Sequence, residues 1–212
     1  MMDCEIITVN YNTPDLIDRL VNSIRLKEGN IPVRIIDGSN SEYADSLTNI
    51  LSPFDSVIIE KQGWNIHHGR GMDLALSTSK FKYCLIMDSD NYIKTPVIRY
   101  MLDNIGSHKM FGWYCYVDDH GISNLRVKTD QNYIKYYHPS FLLIDTEFYN
   151  KSQAKMIHHG APCLEFMKEH NYEMDSVALD LCESLNIGFN DLDRIISLKG
   201  RGTVSRFGYN LR

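Results

Sequence analysis

The sequence contains no apolar run of the roughly 20 residues that a membrane-spanning helix needs. It has no C-x-x-C pair. Its five cysteines, Cys4, Cys84, Cys115, Cys163 and Cys182, are scattered and odd in number. That argues against a disulfide framework or a zinc site and points to buried free thiols in a reducing, cytoplasmic compartment. Basic residues are not in surplus: 22 Lys and Arg face 27 Asp and Glu, a net charge of -5. This argues against a nucleic-acid partner, since neutralising a phosphate backbone takes clustered positive charge. The first residues, Met-Met-Asp-Cys-Glu, carry acids where a signal peptide carries bases. No G-x-G-x-x-G follows a strand-like run, which counts against a dinucleotide oxidoreductase. The stretch from Asn10 to Asp15 has no glycine, Lys or Arg, which counts against a loop that cradles a triphosphate.

What is present is a regular alternation. Ile6-Ile7-Thr8-Val9 is short, β-branched and closed by turn residues, so it predicts a buried strand. Thr13 and Pro14 mark a helix start, Leu16, Ile17, Leu20, Val21 and Ile24 continue at helical spacing, and Gly29-Asn30 ends the run. Val33 to Ile36, Val57 to Ile59 and Tyr83 to Met87 predict further strands, with helices over Tyr43 to Leu51 and Gly69 to Ser79. Strand and helix in strict alternation predict an α/β fold, a Rossmann-like sandwich with a central, mainly parallel sheet flanked by helices. Ligands of such sheets bind beyond the carboxyl ends of the strands. Those ends carry Asn10-Tyr11-Asn12, Asp37 and Asp88-Ser89-Asp90, three polar clusters distant in sequence that the fold brings to one rim. The second half is less regular. Phe111 to Val117 and Phe141 to Ile144 predict strands extending the same sheet, and Ala161 to His170 and Ser176 to Asn186 predict helices.

Asp88-Ser89-Asp90 directly follows an apolar strand. On a turn, two carboxylates at this spacing can reach one hard cation, Mg2+ or Mn2+, which prefers oxygen ligands and completes its shell with water and phosphate. Such an ion neutralises a leaving diphosphate. The bland alternative is a solvated acidic turn. Asp37 can accept a hydrogen bond from a base or a ribose hydroxyl, or simply cap its own loop. Tyr11 can stack on a nucleobase with the flanking amides on its edge, or half-bury in a turn.

Taken in order, Val9-Asn10-Tyr11-Asn12 before a helix, Ile36-Asp37-Gly38-Ser39, Gly63-Trp64 leading through Arg70-Gly71-Met72-Asp73-Leu74-Ala75, and Leu85-Ile86-Met87-Asp88-Ser89-Asp90 resemble the family 2 glycosyltransferases of the GT-A fold. The resemblance spans about the first hundred residues. It implies a transferase that moves a sugar from a nucleotide-diphospho-sugar, commonly a UDP-sugar, to a glycan or other acceptor hydroxyl with Mn2+ or Mg2+, typically with inversion. Val9 to Asn12 and Asp37 then bind the nucleoside, and Gly63, Trp64 and Arg70 line the path of base and diphosphate. Asp88 and Ser89 meet the donor, and Asp88 and Asp90 hold the metal. Residues 1–100 form the donor and metal half and residues 101–212 the acceptor half of one domain, which is compatible with being part of a longer polypeptide. The Glu-Asp pair that supplies the family's base is absent. Asp180 remains at that place, with Asp175 as the second candidate, and Gly200-Arg201-Gly202-Thr203 resembles the closing loop. A non-catalytic nucleotide-sugar binder and a sugar-phosphate nucleotidyltransferase are the competing readings.

Some residues carry weaker signals. His67-His68 read as solvated loop histidines rather than phosphate contacts. His158 to Cys163 reads equally as a functional loop or as a plain lead-in to a helix. Arg201 and Arg206 can close over a diphosphate or remain a solvated basic terminus. Trp113-Tyr114 and Tyr136-Tyr137 read as core before they read as a sugar-stacking wall.

Overall fold

A computed structural model describes residues 3–122, 132–158 and 160–197, together with Arg206. In chain order the elements are β1 (Cys4–Asn10), α1 (Pro14–Glu28), β2 (Val33–Asp37), α2 (Ser41–Leu51), β3 (Val57–Lys61), α3 (His68–Thr78), β4 (Tyr83–Met87) and α4 (Ile98–Asn104). There follow β5 (Met110–Val117), β6 (Ile134–Asp145), α5 (Thr146–Lys151), α6 (Leu164–Glu169), α7 (Met174–Val177), β7 (Ala178–Asp180), α8 (Leu181–Ser184) and a 3-10 turn at Phe189–Arg194.

The described strands form one sheet in the order β3-β2-β1-β4-β6-β5-β7. The first four are mutually parallel, β6 runs antiparallel to β4 and β5, and β7 is parallel to β5. The interior strands β2 and β4 are buried along their whole length, as near-continuous apolar runs in a two-faced parallel sheet must be. The edge strand β3 is only partly covered, with Ile58 58% exposed. The cation inside β2, Arg34, is neutralised by Glu60 of β3 at 2.7 Å. Helices α1 and α2 pack on each other, and α3 packs over β1 and β2 and against α5. Gly71 permits the approach of α3 to β1, because a Cβ there would stand 2.7 Å from Val9 Cγ2. Among the described residues no helix is long and apolar enough to cross a membrane.

Helix α1 starts at Pro14 and stops before Gly29, whose φ of 78° suits glycine, as its punctuation predicts. Three expectations for the second half need correction. The run from Ser176 to Asn186 is not one helix: it splits into the end of α7, strand β7 and α8. Ala178, Leu179 and Asp180 pair with Met110, Phe111 and Gly112, so the open edge of β5 overrides local helical spacing. Asp180 then restarts a helix as its N-cap, its carboxylate accepting from the Cys182 and Glu183 amides. The helix expected over Ala161 to His170 is shorter, with Pro162 outside it. Strand β6 is also three times the expected length and is broken in register. Gly112 pairs with Leu142 but Tyr114 pairs with Tyr137, so β6 bulges through His138-Pro139-Ser140 opposite Trp113. Pro139, with no N–H to offer the ladder, sits in that irregular stretch.

Candidate active site

The rim predicted from the strand ends exists. Asn10 and Asp37 are register partners on neighbouring strands, and Ile7 pairs with Ile86, so Asp88 follows two residues later on the strand beside β1. Asp37 is 1% exposed. Its Oδ1 accepts from Asn10 Nδ2 at 2.9 Å, Ser39 Oγ at 2.5 Å and Ser39 N at 3.2 Å. Its Oδ2 is buried with no partner among the described residues. A buried carboxylate oxygen left unmatched is costly. One face of Asp37 is thus fixed by the protein while the other meets no donor among the described residues.

The loop after β1 is built from its own amides. Asn10 Oδ1 accepts from Thr13 Oγ1 at 2.7 Å, so the Thr13 hydroxyl turns to Asn10 and makes no helix-cap bond. The Asn12 amide N–H donates to Ser39 Oγ at 2.8 Å, and Asn12 Oδ1 accepts from Asn40 N at 2.9 Å. Asn12 has φ of 56°, a left-handed turn that asparagine tolerates. Asn10 and Asn12 therefore hold this loop in shape and orient Asp37, with Tyr11 half-buried between them. Val9 packs under α3. The loop from Gly63 lies over the same corner: Gln62 N donates to Asp37 O at 2.8 Å, and a Cβ on Gly38 would come within 2.8 Å of Trp64 O. Trp64 is 52% exposed beside this corner, and Arg70 is exposed on α3.

On the β4 side, Asp88 is half-buried and Ser89 and Asp90 are buried. The turn is pinned from three directions. Asn91 Nδ2 donates to Ser140 O at 2.7 Å, Asp88 N donates to the same carbonyl at 3.3 Å, and Arg19 Nη2 of α1 donates to Asp90 O at 2.8 Å. His68, read from sequence as a solvated loop residue, instead stands at the start of α3 with Nε2 3.2 Å from Asp88 Oδ1. Burial disfavours a charged imidazole there, but Asp88 and then Asp90 outweigh it and hold His68 above its ordinary range. Burial likewise pushes the Asp88 carboxyl up, while His68 and then His138 outweigh it and hold it low. Among the described residues no third His, Cys, Asp or Glu joins these carboxylates in a metal-binding group.

His138 is a site residue that sequence reasoning missed. The β6 bulge carries it to within electrostatic reach of Asp88. Its Nδ1 lies 3.1 Å from the Ser140 backbone N and 2.9 Å from the Ser140 hydroxyl. The ring stacks on Trp113 at 4.5 Å and 10°. Pro139 inside a strand-like run was the one available signal for the bulge. Trp113 in turn lines a cavity of about 500 Å3 together with Tyr114, Asp180, Glu183 and Phe189. Asp180, at the end of β7, is half-buried, and burial raises its carboxyl above the ordinary range despite the Cys182 and Glu183 amides that favour the anion. Asp175 is elsewhere: it is exposed on α7 and pairs with Lys135 at 2.8 Å. Arg206 makes a two-pronged contact with Asp15 of α1, both distances 2.7 Å, and Arg201 with the Gly200 to Thr203 segment lies outside the described residues.

This sheet, with acids at the carboxyl ends of its parallel half and an antiparallel extension on one side, is a GT-A fold. It superposes on a mannosyltransferase of Pyrobaculum calidifontis solved with GDP-Man and Mn2+, with a TM-score of 0.56 and 12% identity over 76% of this chain and 49% of that one. It also superposes on GalNAc-T7 solved with UDP, GalNAc and Mn2+, with a TM-score of 0.62 and 11% identity over 80% of this chain and 40% of that one. The chain thus spans about half the length or less of these transferases. A Bacillus anthracis protein described as a putative glucose-1-phosphate thymidylyltransferase matches as well, with a TM-score of 0.53 and 12% identity over 84% of this chain and 85% of that one. The fold by itself therefore does not separate the two chemistries. No curated protein sequence matches at a significant level. The sequence profile described as Glycosyl transferase family 2 matches residues 5–173, and the chain belongs to that family.

Proposed function

We propose that the protein is a metal-dependent glycosyltransferase that transfers a sugar from a nucleotide-diphospho-sugar, with uridine as the nucleoside, to an acceptor hydroxyl with inversion. The observation that carries the reading is the unmatched Asp37 Oδ2, buried on the same rim as Asp88 and Asp90. A uracil imide N–H or a ribose hydroxyl is the donor this acceptor lacks, and Asn10, Ser39 and the loop over Gly38 keep it aimed. Tyr11 and Trp64 supply rings for the base, and Arg70 a cation on the diphosphate side.

The residues present fit a hard divalent cation. Asp88 and Asp90 offer two carboxylates on one turn and leave the rest of the shell to water and phosphate oxygens. Bound there, Mn2+ or Mg2+ neutralises the charge that builds on the leaving diphosphate. His68, with Nε2 3.2 Å from Asp88 Oδ1, is a cationic partner that would compete with an ion for this carboxylate. Asp180 is the base of the proposal: it takes the proton from the acceptor hydroxyl as the new oxygen–carbon bond forms at the anomeric carbon and the bond to diphosphate breaks. Its raised pKa and its place in a cavity favour it over Asp175, which is exposed and engaged by Lys135. Five unpaired cysteines, four of them buried, suit a reducing, cytoplasmic compartment.

The test is a panel of UDP- and GDP-sugars offered with Mn2+, with Mg2+ or with chelator, followed as release of nucleoside diphosphate. Turnover of a UDP-sugar that stops on chelation supports the reading. Metal-dependent binding without any release points instead to a non-catalytic nucleotide-sugar binder. Formation of a nucleotide sugar from nucleoside triphosphate and sugar phosphate would replace it with a nucleotidyltransferase.

A further inference from the structure

The cavity of about 500 Å3 beyond β7 has an uneven lining. Trp113, Tyr114 and Phe189 give it aromatic walls, with Trp113 and Phe189 tilted together at 5.4 Å. Among the described residues its carboxylates are Asp180 and Glu183, and no Lys, Arg or His of those residues lines it. Lys135 stands outside this lining: it pairs with Asp175 at 2.8 Å, lies over the Tyr114 ring at 4.1 Å, and only partly offsets the burial that raises the Asp180 carboxyl. Trp113 is also the joint between this cavity and the Asp88 turn, through its stack on His138.

Two acids in the described lining, with Lys135 outside it and already paired to Asp175, repel an anion, and like charges set against a ligand are a means of rejecting it. Aromatic faces take the C–H face of a sugar ring, which is apolar, while the carboxylates accept from its hydroxyls. The acidic balance of the whole chain, -5, acts in the same direction at longer range.

We infer that this cavity seats the acceptor and selects an uncharged saccharide, rejecting phosphorylated, sulfated or uronate-bearing acceptors. The inference rests on the transferase reading and adds to it the acceptor's charge class. Glu183 is a specificity-determining residue in this account. It lies on the exposed side of α8, so replacing it leaves the core intact.

The experiment uses the full chain with Mn2+ and whichever UDP-sugar it hydrolyses. Neutral oligosaccharides and their phosphorylated or uronate counterparts of equal length compete for transfer, with products counted by mass spectrometry. The expected result is at least a tenfold preference for neutral acceptors, shrinking at least threefold in Glu183→Gln and reversing toward the anionic set in Glu183→Lys. Raised salt should shrink the preference in the wild type as well, since screening weakens the repulsion. Equal use of the two sets, preference for the anionic set, or a preference untouched by Glu183→Lys overturns the acceptor inference while donor turnover keeps the transferase reading standing. Absence of donor turnover overturns that reading, and the acceptor inference with it.

Discussion

The two halves of the sheet solve different problems. The parallel half, β3-β2-β1-β4, holds its acids at strand ends where backbone geometry alone brings them together: Asn10 is opposite Asp37 in register, and Asp88 follows two residues past the Ile7–Ile86 pair. The antiparallel half reaches its acid and its aromatic wall by irregularity. A bulge swings His138 toward Asp88 and onto Trp113, and a three-residue strand ends at Asp180. On the proposed function, regular strands suffice to grip a donor whose nucleotide is constant, and bulges and short strands let the acceptor side vary without disturbing that grip.

This comparison can be broken most severely at the metal turn. Asp90→Ala is expected to lower Mn2+-dependent turnover of a UDP-sugar by about a thousandfold or more while the fold persists. Circular dichroism and a discontinuous diphosphate assay check both halves of that statement. Near-normal turnover would place the metal chemistry elsewhere.

The next effect belongs to the other half. Asp180→Asn retains an N-cap for α8, so the protein folds, but transfer should fall by about 100- to 10,000-fold with donor affinity within about twofold of wild type. In the wild type, transfer should decline as pH drops through the Asp180 pKa, which burial raises above the ordinary carboxylate range, because only the anion accepts the proton. The same raised pKa means that ionising Asp180 costs stability, so this group favours the fold at acid pH and opposes it as pH rises through its folded value. A pH–rate profile of transfer, set against donor binding measured at each pH, checks the sign. An acid limb that persists in Asp180→Asn contradicts the assignment and sends attention back to Asp175.

At Asp37 the expected effect is smaller and falls on binding. Asp37→Asn keeps one acceptor for Asn10 and Ser39 but puts an amide N–H where Oδ2 was, facing the ligand's own donor. UDP affinity should weaken by about ten- to a hundredfold, the worth of one charged hydrogen bond, measurable by calorimetry. The smallest effect concerns the frame. Gly71→Ala adds a Cβ 2.7 Å from the stiff, β-branched Val9 side chain, and the overpacking outweighs the gain in helix propensity by about 1 kcal/mol. A melting temperature lower by about 2–4 °C, with donor affinity nearly intact, is the expected reading.

The same division explains what the sequence alone could reveal. Apolar runs ending in Asn10, Asp37 and Asp88 carry strand, crossover and ligand rim in one pattern, because each local choice agrees with the global fold. The second half hides its logic. Ser176 to Asn186 has helical spacing, but β5 offers an unpaired edge that only the folded sheet creates, and Ala178 to Asp180 take it. His68 looks solvated until α3 packs down through Gly69 and Gly71 and sets it beside Asp88. Trp113 was read as core, and it is buried, yet its ring also walls the cavity. Pairing across a bulge leaves no periodic trace beyond Pro139, so His138 could not be picked out.

The most direct measurement titrates uridine and UDP calorimetrically into wild type, Asp37→Asn and Asp90→Ala, with Mn2+ and with chelator. If Asp37 holds the nucleoside and the Asp88–Asp90 turn holds the metal on the diphosphate, uridine affinity is indifferent to metal. It falls in Asp37→Asn, and only UDP gains from Mn2+, a gain that Asp90→Ala removes. UDP affinity unchanged by Mn2+ in the wild type, or a metal-dependent gain surviving in Asp90→Ala, contradicts the account.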